Sequence, residues 1–223
     1  MKYTLSLLFT IVARAISAQS DHVLWFDRPA QFFEETTVLG NGRIGACVFG
    51  GVQSDSMFLN DATLWSGGPV NPYMNREAYK FLPQVREALA REDYRAADSL
   101  NTFLQGAYSQ SYAPLGTLYL HFLHENGEIK NYRRELDIET ALGSVKYQVN
   151  DVRYEREYFT SAPDSVMIIR LFCNKPGRLN FDLKLGSLLK HHVDLLPEGL
   201  KMTGYAPAHA EPSYRGNMPN AVV

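Results

Sequence analysis

The sequence predicts a mostly β fold, an antiparallel β-sandwich, with a short helical insertion around residues 76–105. Three observations carry this. Short runs of apolar–polar alternation recur along the chain after Thr117, with turn-forming residues between them at regular intervals. A single stretch, Asn75 to Gly106, places apolar residues at helical rather than strand spacing. Glycines are dense from Gly40 to Gly51, as expected of tight turns and close backbone approach.

The elements follow in order. Val23-Leu24-Trp25-Phe26 reads as a short strand stopped by Asp27-Arg28-Pro29. Ile44 to Phe49 is a second strand closed by Gly50-Gly51, with Ser56 to Leu59 as its hairpin partner. In the helical stretch, Leu82, Val85, Leu89, Ala97, Leu100 and Leu104 recur at helical spacing. Pro83 suits a first turn, Asp93 suits the start of a second helix, and Gly106 suits a stop. The stretch is expected to pack on the sheet. Then Leu118, Leu120 and Phe122 alternate with Tyr119, His121 and Leu123, followed by the turn signal Asn126-Gly127. Tyr132 to Glu139 is the next strand. Val145, Tyr147 and Val149 alternate with Lys146, Gln148 and Asn150, and Asn150-Asp151 turns into Val152 to Thr160. Val166 to Phe172 is almost continuously apolar, the pattern of a central strand. Leu179, Phe181, Leu183 and Leu185 form a last alternating run. Tyr205 to Asn220 reads as a long loop, and Ala221-Val222-Val223 as the opening of a further strand.

The N-terminus has the form of a secretory signal over residues 1–18. Lys2 supplies the charge, Leu5 to Val12 the apolar stretch, and Ala15-Ile16-Ser17-Ala18 the small residues of a cleavage site. The expected product is an exported bacterial protein, periplasmic or extracellular, with one sandwich domain over 21–223. The formal net charge is −2, from 22 basic and 24 acidic residues scattered without long runs. That distribution speaks against nucleic acid and anionic membrane as partners. Cys47 and Cys173 both sit in apolar strand-like runs and read as free thiols, although export would permit a bridge.

Chemistry is sparse in this pattern. Acid–base hydrolysis needs two groups placed across the scissile bond, a proton donor and either a base or a nucleophile. Asp137 and Glu139 share a strand face, where a solvated pair is the ordinary outcome, and Glu34-Glu35 point apart if extended. His121 and His124, three apart on a strand, face opposite ways, and no histidine spacing suits a metal. No phosphate-binding fingerprint and no nucleophile elbow is present, so no catalytic residue, metal or other cofactor is assigned. Five residues in the two densest motifs stand out. Asn41 and Arg43 lie among glycines, where arginine can hold a sugar hydroxyl or form a salt bridge. Asn60 and Asp61 suit a turn, and Trp65 could stack on a sugar, pack on a neighbouring domain or fill the core.

Those motifs, Leu39-Gly40-Asn41-Gly42-Arg43-Ile44-Gly45-Ala46 and Leu59-Asn60-Asp61-Ala62-Thr63-Leu64-Trp65-Ser66-Gly67-Gly68-Pro69, resemble the opening of the α-L-fucosidases of glycoside hydrolase family 95. Further positions follow in the expected order. They include Leu82-Pro83-Gln84-Val85-Arg86, Ala113-Pro114-Leu115-Gly116, Tyr132-Arg133-Arg134-Glu135-Leu136-Asp137 and Val152-Arg153-Tyr154-Glu155-Arg156-Glu157. Ser161-Ala162-Pro163-Asp164 and Pro212-Ser213-Tyr214-Arg215-Gly216 complete the series. The resemblance implies an N-terminal β-sandwich of the super-sandwich type. It also implies cleavage of terminal α-L-fucose with inversion, or of α-L-galactose in some relatives. The family's acid, base and orienting asparagines lie in a later (α/α)6 barrel that would begin beyond Val223. On this resemblance the chain alone is expected to be inactive. Fucosylated glycans would be met through that barrel, and Asn41, Arg43, Asn60, Asp61 and Trp65 would belong to an interdomain or pocket-rim surface.

Overall fold

A computed structural model of the chain describes residues 22–69, 71–106 and 110–210. The signal-like segment over 1–18, most of the loop expected before Asn220, and Ala221-Val222-Val223 lie outside the described residues.

The strands in chain order are β1 (Val23–Phe26), β2 (Thr37–Gly40), β3 (Ile44–Val48), β4 (Ser54–Asp61), β5 (Gly116–Phe122) and β6 (Ile129–Asp137). They continue as β7 (Leu142–Val149), β8 (Val152–Ser161), β9 (Val166–Cys173), β10 (Phe181–Gly186), β11 (Lys190–Leu196) and β12 (Gly199–Tyr205). Two antiparallel five-stranded sheets form the sandwich. One has the order β1-β6-β7-β8-β9 and the other β10-β5-β4-β3-β2, while β11 and β12 pair as a separate ribbon. We refer to them as the first and second sheets. The expected antiparallel sandwich is what the chain forms.

Alternation explains which residues lie between the sheets. Val145, Tyr147 and Val149 of β7 and Val152, Tyr154 and Tyr158 of β8 are buried on the first sheet. Leu39, Val48, Met57, Leu120 and Phe122 are buried on the second, and all of these join one apolar core. The same parity places Arg134 and Arg156 inside, each almost inaccessible. Arginine is rarely so buried unless paired. Arg156 is held by Asp55, and Arg134 donates to the Glu35 carbonyl and the Thr37 hydroxyl.

The helical insertion forms α1 (Leu82–Ala90) and α2 (Tyr94–Asn101), flanked by short 3-10 turns. Pro83 sits in the first turn, and the Asp93 carboxylate accepts from the Ala96 amide as the α2 cap. The helices pack chiefly on each other rather than flat on a sheet, burying Val85, Ala88 and Ala97 and leaving Leu89 half exposed.

Several local expectations are corrected. β9 is an edge strand, not a central one. Its inward residues Met167, Ile169 and Leu171 pack on the core, but Val166, Ile168 and Phe172 form an exposed outer strip. Asn126-Gly127 does not close a hairpin, because β5 and β6 lie in different sheets and the segment crosses between them. Thr37–Gly40 adds an edge strand whose Thr37 and Leu39 are buried and Val38 exposed. Both cysteines are free and half-buried.

Candidate functional site

The two dense motifs meet at one end of the second sheet, where β3 begins and β4 ends. Asn41 organises the β2–β3 turn. Its side-chain oxygen accepts from the Arg43 amide at 3.0 Å and the Ile44 amide at 2.9 Å, while Gly42 takes φ +90°. Its amide nitrogen donates to the Ser161 carbonyl at 2.8 Å, tying this turn to the end of β8 in the opposite sheet. Asn41 is therefore first a structural link between the layers.

The β3–β4 register pairs Ile44 with Asp61 and Gly45 with Asn60, which brings Arg43 beside Asp61. The Arg43 guanidinium lies 3.6 Å from the Asp61 carboxylate, with the arginine side chain 65% exposed. The Asp61 carboxylate also accepts from the Thr63 amide at 2.9 Å and the Thr63 hydroxyl at 2.6 Å. Those bonds from Thr63, and then the Arg43 charge, hold the Asp61 carboxyl below its ordinary range. A general acid of glycoside hydrolysis needs the opposite shift. Asp61 suits holding a hydroxyl or an arginine, not donating a proton. Asn60 contributes a buried side-chain oxygen that has no hydrogen-bond partner among the described residues.

Trp65 reaches a neighbouring loop instead. Its amide donates to the Thr63 carbonyl, so Thr63 connects it to Asp61. The indole is half exposed, which removes the core-packing role, and its ring contact is Tyr112 at 6.3 Å, edge to face. The loop is pinned by Ser66, which sequence reasoning passed over. The buried Ser66 hydroxyl accepts from the Ser111 amide at 2.9 Å and lies 3.2 Å from the carbonyls of Ser111 and Ala210. Three distant chain segments thus meet around one hydroxyl. Tyr112 also went unremarked. Neither residue carries a signal of its own, because the pairing of Trp65 with Tyr112 is a long-range bridge.

The other candidate acids are turn-formers. β6 ends at Asp137, and the Asp137 carboxylate accepts from the amides of Glu139 and Thr140. Glu139 therefore lies past the strand, not on a shared strand face. Glu34 and Glu35 lie in a 3-10 turn, where Glu35 accepts from the Gln31 amide. His121 meets the Ser54 hydroxyl, and His124 lies against Tyr154 at 5.3 Å between ring centroids. Among the described residues no group of three His, Cys, Asp or Glu is placed to hold a metal, and no helix is long and apolar enough to cross a membrane.

Residues 24–222 match the family model described as glycosyl hydrolase family 65, N-terminal domain. The chain is similar to alpha-L-fucosidase 2 of Arabidopsis thaliana, 38% identical over 177 residues, which cover 78% of this chain and 21% of that protein. It is 31% identical over 175 residues to a probable alpha-fucosidase A of Aspergillus niger, covering 74% of this chain and 21% of the relative. A probable alpha-fucosidase A of Aspergillus oryzae is 25% identical over 154 residues, 66% of this chain and 21% of the relative. The chain spans about a fifth of the length of these curated relatives.

Proposed function

The chain belongs to the glycosyl hydrolase family 65 N-terminal domain family, and from that premise we propose that it is the N-terminal β-sandwich of an exported α-L-fucosidase of glycoside hydrolase family 95. The observation that carries the reading is the similarity, along most of the chain, to proteins named as α-fucosidases from a plant and two fungi. The enzyme would hydrolyse terminal α-L-fucosyl linkages with inversion. Its acid and base would lie in an (α/α)6 barrel outside the sandwich, so this chain alone would be inactive. The depressed Asp61 carboxyl is unsuited to the general-acid role, which supports looking for the proton donor elsewhere. Residues 1–18 would direct export to the periplasm or beyond. Asn41, Arg43, Asn60, Asp61 and Trp65 would form a surface that meets the barrel or the pocket rim. The exposure of Arg43 and Trp65 supports that role.

The test is fucose release by an enzyme carrying this domain, followed by proton NMR on fucosylated oligosaccharides and on their α-L-galactosyl counterparts. The expected result is inverted L-fucose from the longer enzyme and none from this chain alone. Faster cleavage of the galactosides would reassign the substrate, and fucose release by the sandwich alone would overturn the division of labour. A second reading, a carbohydrate-binding sandwich acting by itself, draws on the exposed Trp65–Tyr112 pair.

A further inference from the structure

The outer face of the first sheet carries a groove remote in sequence from the two dense motifs. One end of it lies at a bulge in β6. The β6–β7 register slips between Lys130 and Arg133, so that Asn131 and Tyr132 stand against Tyr147 alone. Asn131 takes φ +53°, and the Tyr132 side chain turns inward to donate to the Gly50 carbonyl. A cavity of about 350 Å³ extends from Asn131 across β7 and β8 to Phe172 on β9, with Asn174 at its far side. That volume lies within the range of small-molecule sites. Four strands at their usual spacing make it roughly 14 Å across, which is more than a single sugar ring requires.

The lining is chemically mixed. Lys146 and Glu155 neutralise each other at 3.0 Å, leaving carboxylate lone pairs free to accept. The guanidinium of Arg153 and the side-chain amide of Asn131 make no hydrogen bond or ion pair among the described residues, yet both border the cavity. Gln148, which donates to the Asn150 carbonyl, retains its own oxygen. Phe172, half exposed, closes the groove with an apolar ring. Donors and acceptors side by side, near-balanced charge and one aromatic face suit a chain of neutral hydroxylated rings. A nucleic-acid strand would need successive unpaired cations, and an amphipathic helix would need an apolar floor.

We propose that this groove binds a neutral oligosaccharide, through its backbone rather than through the fucose that is removed. Phe172 stacks on a ring, and Arg153 and Asn131 donate to hydroxyls. The inference rests on the reading of the domain as part of a glycan-cleaving enzyme, and it adds a substrate-holding surface separate from the chemistry.

The test uses the labelled full chain on a printed array of neutral oligosaccharides, each present with and without terminal α-L-fucose, beside sialylated and sulfated comparators. Retention on neutral glycans, indifferent to fucose, is expected. Phe172→Ala and Arg153→Ala should each weaken the best hit about tenfold, the scale of one lost stacking or charged contact. Both side chains are exposed, so unchanged thermal melting is expected and separates lost binding from lost fold. Retention that disappears with fucose, retention of acidic glycans only, retention unaffected by either variant, or no retention at all overturns the proposal. None of these outcomes bears on whether the longer enzyme releases fucose, so the two readings fail separately.

Discussion

Two ion pairs in this molecule join an arginine to an aspartate beside a glycine-rich turn, and they do different work. Asp55 and Arg156 meet at 2.8 Å between the sheets, with both side chains essentially sealed from water. The Asp55 carboxylate also accepts from the amides of Gly50 and Gly51 and from the Tyr158 hydroxyl, while Arg156 donates to the Gly51 carbonyl and lies against Phe122. Arg43 and Asp61 meet at 3.6 Å at the end of the second sheet, with the arginine open to solvent. In the interior a charge without its partner is very costly, so the first pair dictates geometry. At the surface water screens the second, which is left free to engage something else. The buried pair explains the Gly50-Gly51 turn, and the exposed pair lies on the surface proposed to meet a partner.

The sharpest way to break this contrast is to remove one member of the buried pair. Asp55→Ala strands Arg156 and two backbone amides, and should cost about 3–5 kcal/mol in denaturant unfolding. The double change of Asp55→Leu with Arg156→Met should recover part of that loss, but not the Gly50 and Gly51 amide bonds. A single-variant cost below about 1 kcal/mol would mean the two pairs are energetically alike.

Gly51→Ala comes next. A Cβ there would stand 1.9 Å from the Ser54 carbonyl oxygen, which is backbone and cannot swing away. A cost of about 1–3 kcal/mol is expected from forcing the turn apart. Ser66→Ala should cost roughly 1–2 kcal/mol, because it leaves the Ser111 amide without its acceptor. The loss should be local, read as faster hydrogen exchange at Ser111 and faster proteolysis near Trp65. Global unfolding at the same denaturant concentration as Asp55→Ala would mean that Ser66 holds the whole sandwich together, as the buried pair does, rather than one loop.

These differences also show what could be read from the sequence. The strand pattern at Leu118–Phe122 and Val145–Val149 was legible because each apolar side chain faces the core and each polar one faces out. Arg134 and Arg156 were not legible in this way: both take inward positions although residue type argues that arginine stays outside, and only the partners Asp55, Thr37 and Glu35 account for it. β9 misled because an apolar run looks the same at the centre of a sheet as at an edge with an exposed outer strip. At the candidate surface, the cluster of Asn41, Arg43, Asn60 and Asp61 was legible as motif density. The roles of Thr63, Ser66 and Tyr112 were not, because each depends on a geometry that spacing does not encode.

The smallest expected effect sharpens the comparison most finely. Arg43→Ala should change stability by no more than about 0.5 kcal/mol, as for an exposed pair. Its effect on Asp61 should also be slight, because the Thr63 bonds depress the carboxyl more than the Arg43 charge does. Thr63→Val removes the hydroxyl, the largest of these causes, and should raise the Asp61 titration further than Arg43→Ala does, as followed by carboxyl carbon NMR. The stability consequence has a definite sign. A carboxyl held below its ordinary value of 3.8 favours the folded state above that pH, and that contribution is lost as pH falls through the folded value. The Thr63→Val protein should therefore be the less stable of the two near neutrality and converge with the parent in strong acid. If Arg43→Ala shifted Asp61 more than Thr63→Val, the exposed pair would be a true electrostatic couple, and Arg43 would not be free to meet a partner.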